Sequence, residues 1–451
     1  MSEPAHDPGG LLAARRQKLE ALRALGESGF PYRFERTHTA HEVSKRFAEL
    51  EGKVKVAIAG RIDALRPMGK SVFAHISDST GRVQVYLKQD RLPEKTWKAA
   101  GLLDLGDILG VTGTPFRTRT GEISVEAASL EILAKSLRPL PVVKEKSGER
   151  FEDLEDKEIR YRQRHVDLAV HPEVRDLFRT RSKILASVRR FLDGYGFLEV
   201  ETPVLQPLYG GGSARPFVTR HNALGEDLYL RIADELYLKR LLVGGYERVY
   251  EMSKIFRNEG MDRSHLPEFT MIEFYWAYAD YRDAMTMVEE LFRTVAREAT
   301  GAAGTGSAKG RFGGQEVDLE APFERLTMSE AFRRAIGEDP IGKSEAELSA
   351  VARKCGLDPT ELRGEPALLE LLLRSRVEPL LERPTFLHDY PLSLSPLAKR
   401  HRSDPRLVER FELFIRGTEF CNAFSELNDP IDQRSRFESQ EALRQRGMEE
   451  T

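Results

Sequence analysis

A chain of 451 residues, 40% hydrophobic and 31% charged, is long enough for two or three domains and too apolar for extended disorder. Its formal net charge of −3 excludes a polycation, so any nucleic-acid contact must come from local basic patches. Two cysteines, Cys355 and Cys421, fit no metal spacing or disulfide framework, no apolar run approaches the ~18 residues of a membrane span, and the polar first ten residues lack a secretory h-region, so a cytoplasmic location is expected.

Residues 10–25 set Leu12, Leu19 and Leu22 at helical spacing among Arg15, Arg16, Lys18 and Arg23. A solvated helix face and a backbone-binding helix suit that pattern equally. From Val54 the rhythm changes to short alternating runs: VKVAIAGRID, SVFAHISD, GRVQVYLK, DILGVTGTPF and EISVEAASLEIL. Five strands in this length predict a small closed barrel of the oligonucleotide-binding (OB) type. Arg61, Lys70, Phe73, Arg82, Tyr86, Phe116, Arg117 and Arg119 suit a surface that stacks on bases and attracts phosphates, although half of the aromatics fit a core equally well.

Residues 135–150 read as a linker, followed by a helical stretch from Asp153 through Asp167. A long amphipathic helix then reaches a glycine stop and a short strand ending at Pro203. The Gly-rich segment 300–314 lacks a phosphate-cradling pattern and reads as a flexible loop. Residues 344–382 read as purely helical, with a capping pair at Ser344 and Glu347.

Three segments carry the chemistry: residues 231–260, 265–280 and 411–429. The first two alternate around a charged turn and predict a hairpin of YEMSKIFRNE with PEFTMIEFYWA. Alternation is expected to place Arg257, Glu259, Glu268 and Glu273 around one surface. The third presents Glu412, Glu419, Asn422, Phe424 and Glu426. So many carboxylates on strands are costly unless cations answer them, and arginine, a metal–nucleotide complex and a cationic substrate are the candidates. A surface sheet with scattered acids is the plainer alternative, disfavoured because Arg, Asn and aromatics recur beside the acids.

Phe256-Arg257-Asn258-Glu259-Gly260 with Pro267-Glu268-Phe269-Thr270 resembles motif 2 of the class II aminoacyl-tRNA synthetases. The 181–203 segment resembles their motif 1 dimer element, and ARPFVTRHNAL, ELYLKRLLVGG, EFYWAYADY and AFSELNDP resemble the lysyl-tRNA synthetases in particular. The resemblance runs from about residue 15 to the end. It implies an α+β multidomain fold: a helical extension over 1–50, a five-stranded OB-fold anticodon barrel over 51–140, a linker over 141–160, and an antiparallel-sheet catalytic domain flanked by helices over 161–451.

It also implies residue roles. Arg257 resembles the arginine that holds the ATP α-phosphate and the amino-acid carboxylate, a task suited to a planar bidentate donor. Glu259 and Phe269 match adenine-binding positions, and His265 a position near the γ-phosphate. Glu412 and Glu419 match the acids that hold Mg²⁺ on ATP. Glu235 matches the partner of the substrate α-amino group and Asn422 that of its carboxylate. Tyr275 and Glu426 match the pair that meets the lysine ε-ammonium, with Glu273 and Phe424 lining the pocket. Phe73, Gln84 and Glu122 match positions that read the anticodon. ATP, L-lysine and tRNA(Lys) are the implied partners, with a homodimer formed near Pro203 and no membrane. Chemistry supports this independently, because packing alone rejects a one-methylene-shorter analogue by only ~10–200-fold and a buried Glu and Tyr must add the rest.

Two departures stand out. Leu266 sits where lysyl enzymes usually carry an Asn, which removes a side-chain hydrogen bond to the nucleotide. The family also continues into a Gly-rich strand and helix, motif 3, whereas this sequence finishes at EALRQRGMEET. Gly304-Thr305-Gly306 and Met252-Ser253-Lys254 are chance echoes of other signatures. The expectation is a weakened, poorly soluble chain, with a fragment that only binds tRNA or lysine as the alternative. Aspartyl and asparaginyl enzymes are the nearest competitors, but their pocket would want a cation where Glu426 sits.

Overall fold

The structure, a computed structural model, describes residues 8–141, 144–146, 149–151, 154–212, 214–262, 265–300, 308–395 and 397–445. It divides into two compact units at Arg175/Asp176.

The first unit opens with α1 (Pro8–Ala24), α2 (Ala40–Lys45) and α3 (Phe47–Leu50). Five strands follow: β1 (Val56–Met68), β2 (Ser71–Ser77), β3 (Arg82–Lys88), β4 (Ile108–Arg117) and β5 (Ile123–Ala134), with α4 (Glu94–Ala100) between β3 and β4. They close a barrel in the order β1-β2-β3-β5-β4. The period-two pattern explains the closure. Val72, Ala74 and Ile76 of β2 point inward with Val83, Val85 and Leu87 of β3, and all are buried. Phe73, Tyr86 and Phe116 lie on the outside instead, in tilted contact at 4.7 and 5.8 Å between ring centroids, so these three aromatics are not core.

The basic stripe of α1 is partly spent within the unit. Arg15 donates to the Ser136 and Leu105 carbonyls, and Lys18 to Asp104, while Leu19 and Leu22 are buried. Beside them the fully buried ammonium of Lys135 donates to Asp107 (2.7 Å), Asp104 (2.6 Å) and the Leu102 carbonyl (2.8 Å).

Part of the expected linker is strand: β6 (Lys144–Lys146) pairs with β7 (Glu149–Phe151). Asp153, the expected start of the next helix, lies outside the described residues. The rest of that stretch is two helices, α5 (Lys157–Arg162) and α6 (Arg164–Val170), split at Gln163, whose backbone is not helical. Asp167 holds the split together by accepting from Arg160, Arg164 and His171.

The unit boundary falls in α7 (Pro172–Gly194). Next come β8 (Leu198–Glu199), β9 (Leu205–Gln206), β10 (Val218–His221) and β11 (Glu226–Leu230). The strand expected to end at Pro203 is therefore only the two residues of β8. Then follow α8 (Glu235–Val243), β12 (Arg248–Phe256), β13 (Glu268–Trp276) and α9 (Tyr281–Thr300). The Gly-rich loop needs correction: residues 301–307 lie outside the described residues, but β14 (Lys309–Phe312) pairs with β15 (Gln315–Asp318). β16 (Glu324–Thr327) leads to α10 (Met328–Ile336), α11 (Glu345–Lys354) and α12 (Glu365–Leu372). The purely helical reading of 344–382 fails between Cys355 and Gly364, where Gly356 and Gly364 adopt positive φ, and again where α12 gives way to a π turn and a 3-10 turn. The reciprocal cap of Ser344 and Glu347 is present. β17 (Thr385–Pro391), β18 (Leu407–Ile415), β19 (Thr418–Phe424) and α13 (Pro430–Gln445) complete the unit.

Two sheets of this unit matter for function, ordered β13-β12-β8 and β16-β17-β18-β19. Both are mostly antiparallel, with parallel pairings at β8–β12 and β16–β17. A single amphipathic helix, α9, underlies both. Met287, Leu291 and Val295 pack with Tyr250, Ile272 and Trp276, while Met285, Val288 and Phe292 pack with Phe386, Phe411 and Leu413.

The β12–β13 hairpin is as expected, with Glu251 opposite Glu273 and Ile255 opposite Phe269. One expectation about it fails. Glu268 and Glu273 are an odd number of residues apart, so they lie on opposite faces, and Glu268 pairs with Lys254 at 3.2 Å on the far side.

Replacing Lys135 by Ala leaves Asp104 and Asp107 without their buried cation. The variant is expected to unfold more easily by about 3–5 kcal/mol, measured by chemical denaturation of the full chain.

Candidate active site

One face of β13 carries Phe269, Met271, Glu273 and Tyr275, because residues two apart share a face and the other face is committed to α7 and α9. Helix α8 packs over this face and starts with Glu235, which is buried. Gly211, at φ +85°, lets the preceding loop lie against it, since a Cβ there would sit 2.9 Å from that of Glu235. Glu426 arrives just beyond β19. It is placed by Ser425, whose hydroxyl accepts from the Tyr281 N–H (3.1 Å) and donates to Glu409 (2.8 Å).

These elements bring together Glu235, Glu273, Tyr275, Phe424 and Glu426. Lys239 joins them from one turn along α8. Its ammonium lies 2.5 Å from Glu235 Oε1, 2.8 Å from Glu426 Oε2 and 5.9 Å from the Phe424 ring centroid. Burial opposes its charge, yet the Glu426 and Glu235 carboxylates hold it above the usual ammonium range. Glu273 accepts from the Asp234 N–H (3.2 Å) and from Tyr275 Oη (3.4 Å). Burial raises Glu273 to about 7, assisted by the charges of Asp234 and Glu235. Burial also raises Asp234 to about 6, against the Ser253 hydroxyl and Arg231. Glu426 rises because burial outweighs Lys239, and Tyr275 rises well above its ordinary value through burial and the nearby acids.

A second acidic group lies on the β18–β19 hairpin. Glu412 is paired with Asn422 and Arg410 with Phe424. Glu419 is an odd number of residues from Asn422, so strict alternation would turn it away. The ladder steps from Leu413↔Cys421 to Phe414↔Glu419, which makes Phe420 a bulge and returns Glu419 to the side of Glu412. Phe420 then packs against Phe292 and Phe312 on the other side. Glu412 accepts from Tyr390 Oη (2.7 Å) and from Arg410 (2.5 Å), and Arg410 also reaches Asn422 Oδ1 (3.1 Å). Burial and then the Glu412 charge raise Glu419 to about 7, although part of the residue is open to solvent. Cys421 sits on the α9 side, where burial pushes its thiol up to about 12 and disfavours the thiolate.

Arg257 follows β12. Its guanidinium lies over the Phe269 ring at 5.3 Å, and Glu419 feels its charge. Glu259, His265 and Leu266 are exposed on the connection to β13, where His265 Nδ1 meets Asp262 at 2.7 Å. On the barrel of the first unit, Gln84 donates to Glu122 (2.7 Å) and accepts from Ser124, and His75 also meets Glu122 (2.7 Å). Phe73 stands on β2 beside His75, so this face brings together the three residues expected there.

Sequence reading missed the cations. Lys239 is four residues from Glu235 on a helix, and Arg410 two residues from Glu412 on a strand, so spacing alone could have found both. It also missed Arg231, buried between Glu251 (2.7 Å) and the Thr202 carbonyl, which ties the segment before Pro203 to the hairpin. Glu378, raised by burial and by the Glu412 charge, is a third acid near the second group, and no pattern in the sequence marks it.

The family model for class II tRNA synthetases (D, K and N) matches residues 156–450, and that for the OB-fold nucleic acid binding domain matches 56–133. The lysine–tRNA ligase of Pelotomaculum thermopropionicum is 51% identical over 446 residues, 98% of this chain and 85% of that protein. Those of Carboxydothermus hydrogenoformans and Moorella thermoacetica are 50% and 49% identical, each over 98% of this chain and 88% of theirs. A model match over most of the chain, and relatives at this identity along nearly all of it, place the chain in the class II tRNA synthetases, in the lysine–tRNA ligase family.

Proposed function

We propose that the chain is a lysine–tRNA ligase that activates L-lysine with ATP and transfers the lysyl group to the 3′-terminal ribose of tRNA(Lys). The observation that carries this reading is the pocket of Glu235, Glu273 and Glu426 with Tyr275 and Phe424. Three acids against the single ammonium of Lys239 leave it negative and suited to a cationic side chain with an apolar stem. An aspartate side chain would meet excess like charge there, and an asparagine side chain would bring no cation to answer it. In the first step an oxygen of the lysine carboxylate attacks the α-phosphorus and pyrophosphate leaves. Arg257 and Asn422 orient the carboxylate, and Arg257 offsets charge on the α-phosphate. Phe269 and Glu259 receive the adenine, with His265 near the γ-phosphate. Glu412 and Glu419 would hold Mg²⁺, which supplies charge neutralisation on the phosphates, and two carboxylates completed by phosphate oxygens suit that ion. Phe73, Gln84 and Glu122 would read the anticodon by stacking and base-edge hydrogen bonds.

The chain is further proposed to pair with a second copy through the region around Pro203. Leu177, Phe178, Leu198, Leu205 and Leu208 leave exposed apolar surface on α7 and the strands after it. No described helix is long and apolar enough to cross a membrane.

Lysine-dependent ATP–pyrophosphate exchange tests the activity. Exchange with lysine but not with aspartate or asparagine is expected, and a profile reversed between these amino acids would overturn the assignment. Glu426→Gln should raise the lysine KM about 10–100-fold with little change for ATP.

The pocket's titration gives a pH prediction. A carboxyl whose folded value is raised stays protonated up to that value, so Glu273 becomes an anion only as pH climbs through about 7. The lysine KM should therefore fall between about pH 6 and 8, and Glu273→Gln should flatten that dependence. Light scattering should give the mass of a dimer, with Leu177→Glu/Phe178→Glu shifting it to the monomer.

A further inference from the structure

We propose that Lys239 is a positioning residue for lysine recognition: its ammonium bridges Glu235 and Glu426, fixing one oxygen of each and leaving the other for the substrate's ammonium groups. This rests on the lysine–tRNA ligase reading above. The geometry is asymmetric in a useful way. Lys239 comes closest to Glu235 through Oε1 (2.5 Å) and to Glu426 through Oε2 (2.8 Å). Each carboxylate has about four acceptor sites, so one engaged oxygen leaves it able to receive a second donor.

The bridge also joins elements far apart in the sequence. Glu235 and Lys239 lie one turn apart on α8, whereas Glu426 follows β19. Without the ammonium, two desolvated carboxylates close enough to share one nitrogen would repel, and each would turn away or take a proton. Phe424, 5.9 Å from the nitrogen, walls the ammonium on one side. Asp234 at the start of α8 answers to Arg231 and Ser253, but Glu273 and Tyr275 on β13 border the same space, so removing the Lys239 ammonium leaves Glu235, Glu273 and Glu426 with no other cation paired with them among the described residues. A four-carbon stem held at both carboxylates acts as a strut that presents the remaining oxygens at a set separation.

The test is exchange kinetics on the full chain carrying Lys239→Met, Lys239→Arg or Lys239→Ala. Lys239→Met keeps the length and removes the charge, and should raise the lysine KM about 10–100-fold while the ATP KM stays within about twofold. Lys239→Arg should recover part of the loss, because a guanidinium can also bridge two carboxylates. Lys239→Ala removes the atoms equivalent to n-propylammonium, and adding that cation at millimolar concentration should lower its lysine KM. A lysine KM that is unchanged or falls in Lys239→Met would overturn the proposal, a fall marking Lys239 as a placeholder that competes with substrate. Equal rises in both KM values, with a lowered melting temperature and no rescue by propylammonium, would overturn it in favour of a general structural role. Loss of lysine-dependent exchange in the unmutated chain would overturn the functional reading and this inference with it. Normal exchange there with an unaltered Lys239→Met would overturn this inference alone.

Discussion

Carboxylates gathered out of water on a sheet surface are the constraint around which the second unit is arranged. A buried acid must be paired, hydrogen-bonded or protonated, and the molecule uses all three solutions within a short distance. Glu251 is paired with Arg231 and capped by the Thr202 hydroxyl. Glu412 is held between Tyr390 and Arg410. Glu235 and Glu426 share Lys239, while Glu273, with no cation within bonding distance among the described residues, is raised by burial to about 7. The gradient has a direction. Glu251 and Glu412 are answered by the chain itself, whereas Glu235, Glu273 and Glu426 are answered only in part. The unanswered remainder is the affinity available to a cationic ligand.

That arrangement demands stiffness, because an acid free to move would turn toward water. The stiffness comes from α9, whose two apolar faces lie under two different sheets. Tyr281 at its start binds Ser425 through its N–H and Asp389 through its hydroxyl. The residue next to Glu426 is thereby fixed to the same helix that supports Glu273 from below. Glu259, His265 and Leu266, on the connection to β13, are exposed. The proposed amino-acid end of the site is packed against α9, and the proposed nucleotide end is exposed.

Much of this was legible in the sequence, and the limits follow from what one-dimensional patterns encode. Period-two alternation gave the barrel and the β12–β13 hairpin. The same rule placed Glu268 with Glu273, which the odd spacing forbids. Glu268 stays soluble on the far face beside Lys254. It equally could not place Glu419, since only a bulge at Phe420 restores its side, and bulges carry no obligatory residue type. Helical composition over 344–382 concealed two breaks: Gly356 and Gly364 bound the first through backbone freedom and not through hydropathy, and the second is a change of helix type after α12 that hydropathy does not mark.

The cations were missed for a different reason. Acids near a motif draw attention as ligands, and a lysine four residues on reads as an ordinary helix-surface pair worth a few tenths of a kcal/mol. Burial changes its rank. The same spacing inside a desolvated pocket binds a helix to a strand, sets the charge that the pocket offers, and decides which oxygens remain for a ligand. A charge pattern therefore specifies function only together with the depth at which the fold buries it, and here that depth is set by one helix packed under two hairpins.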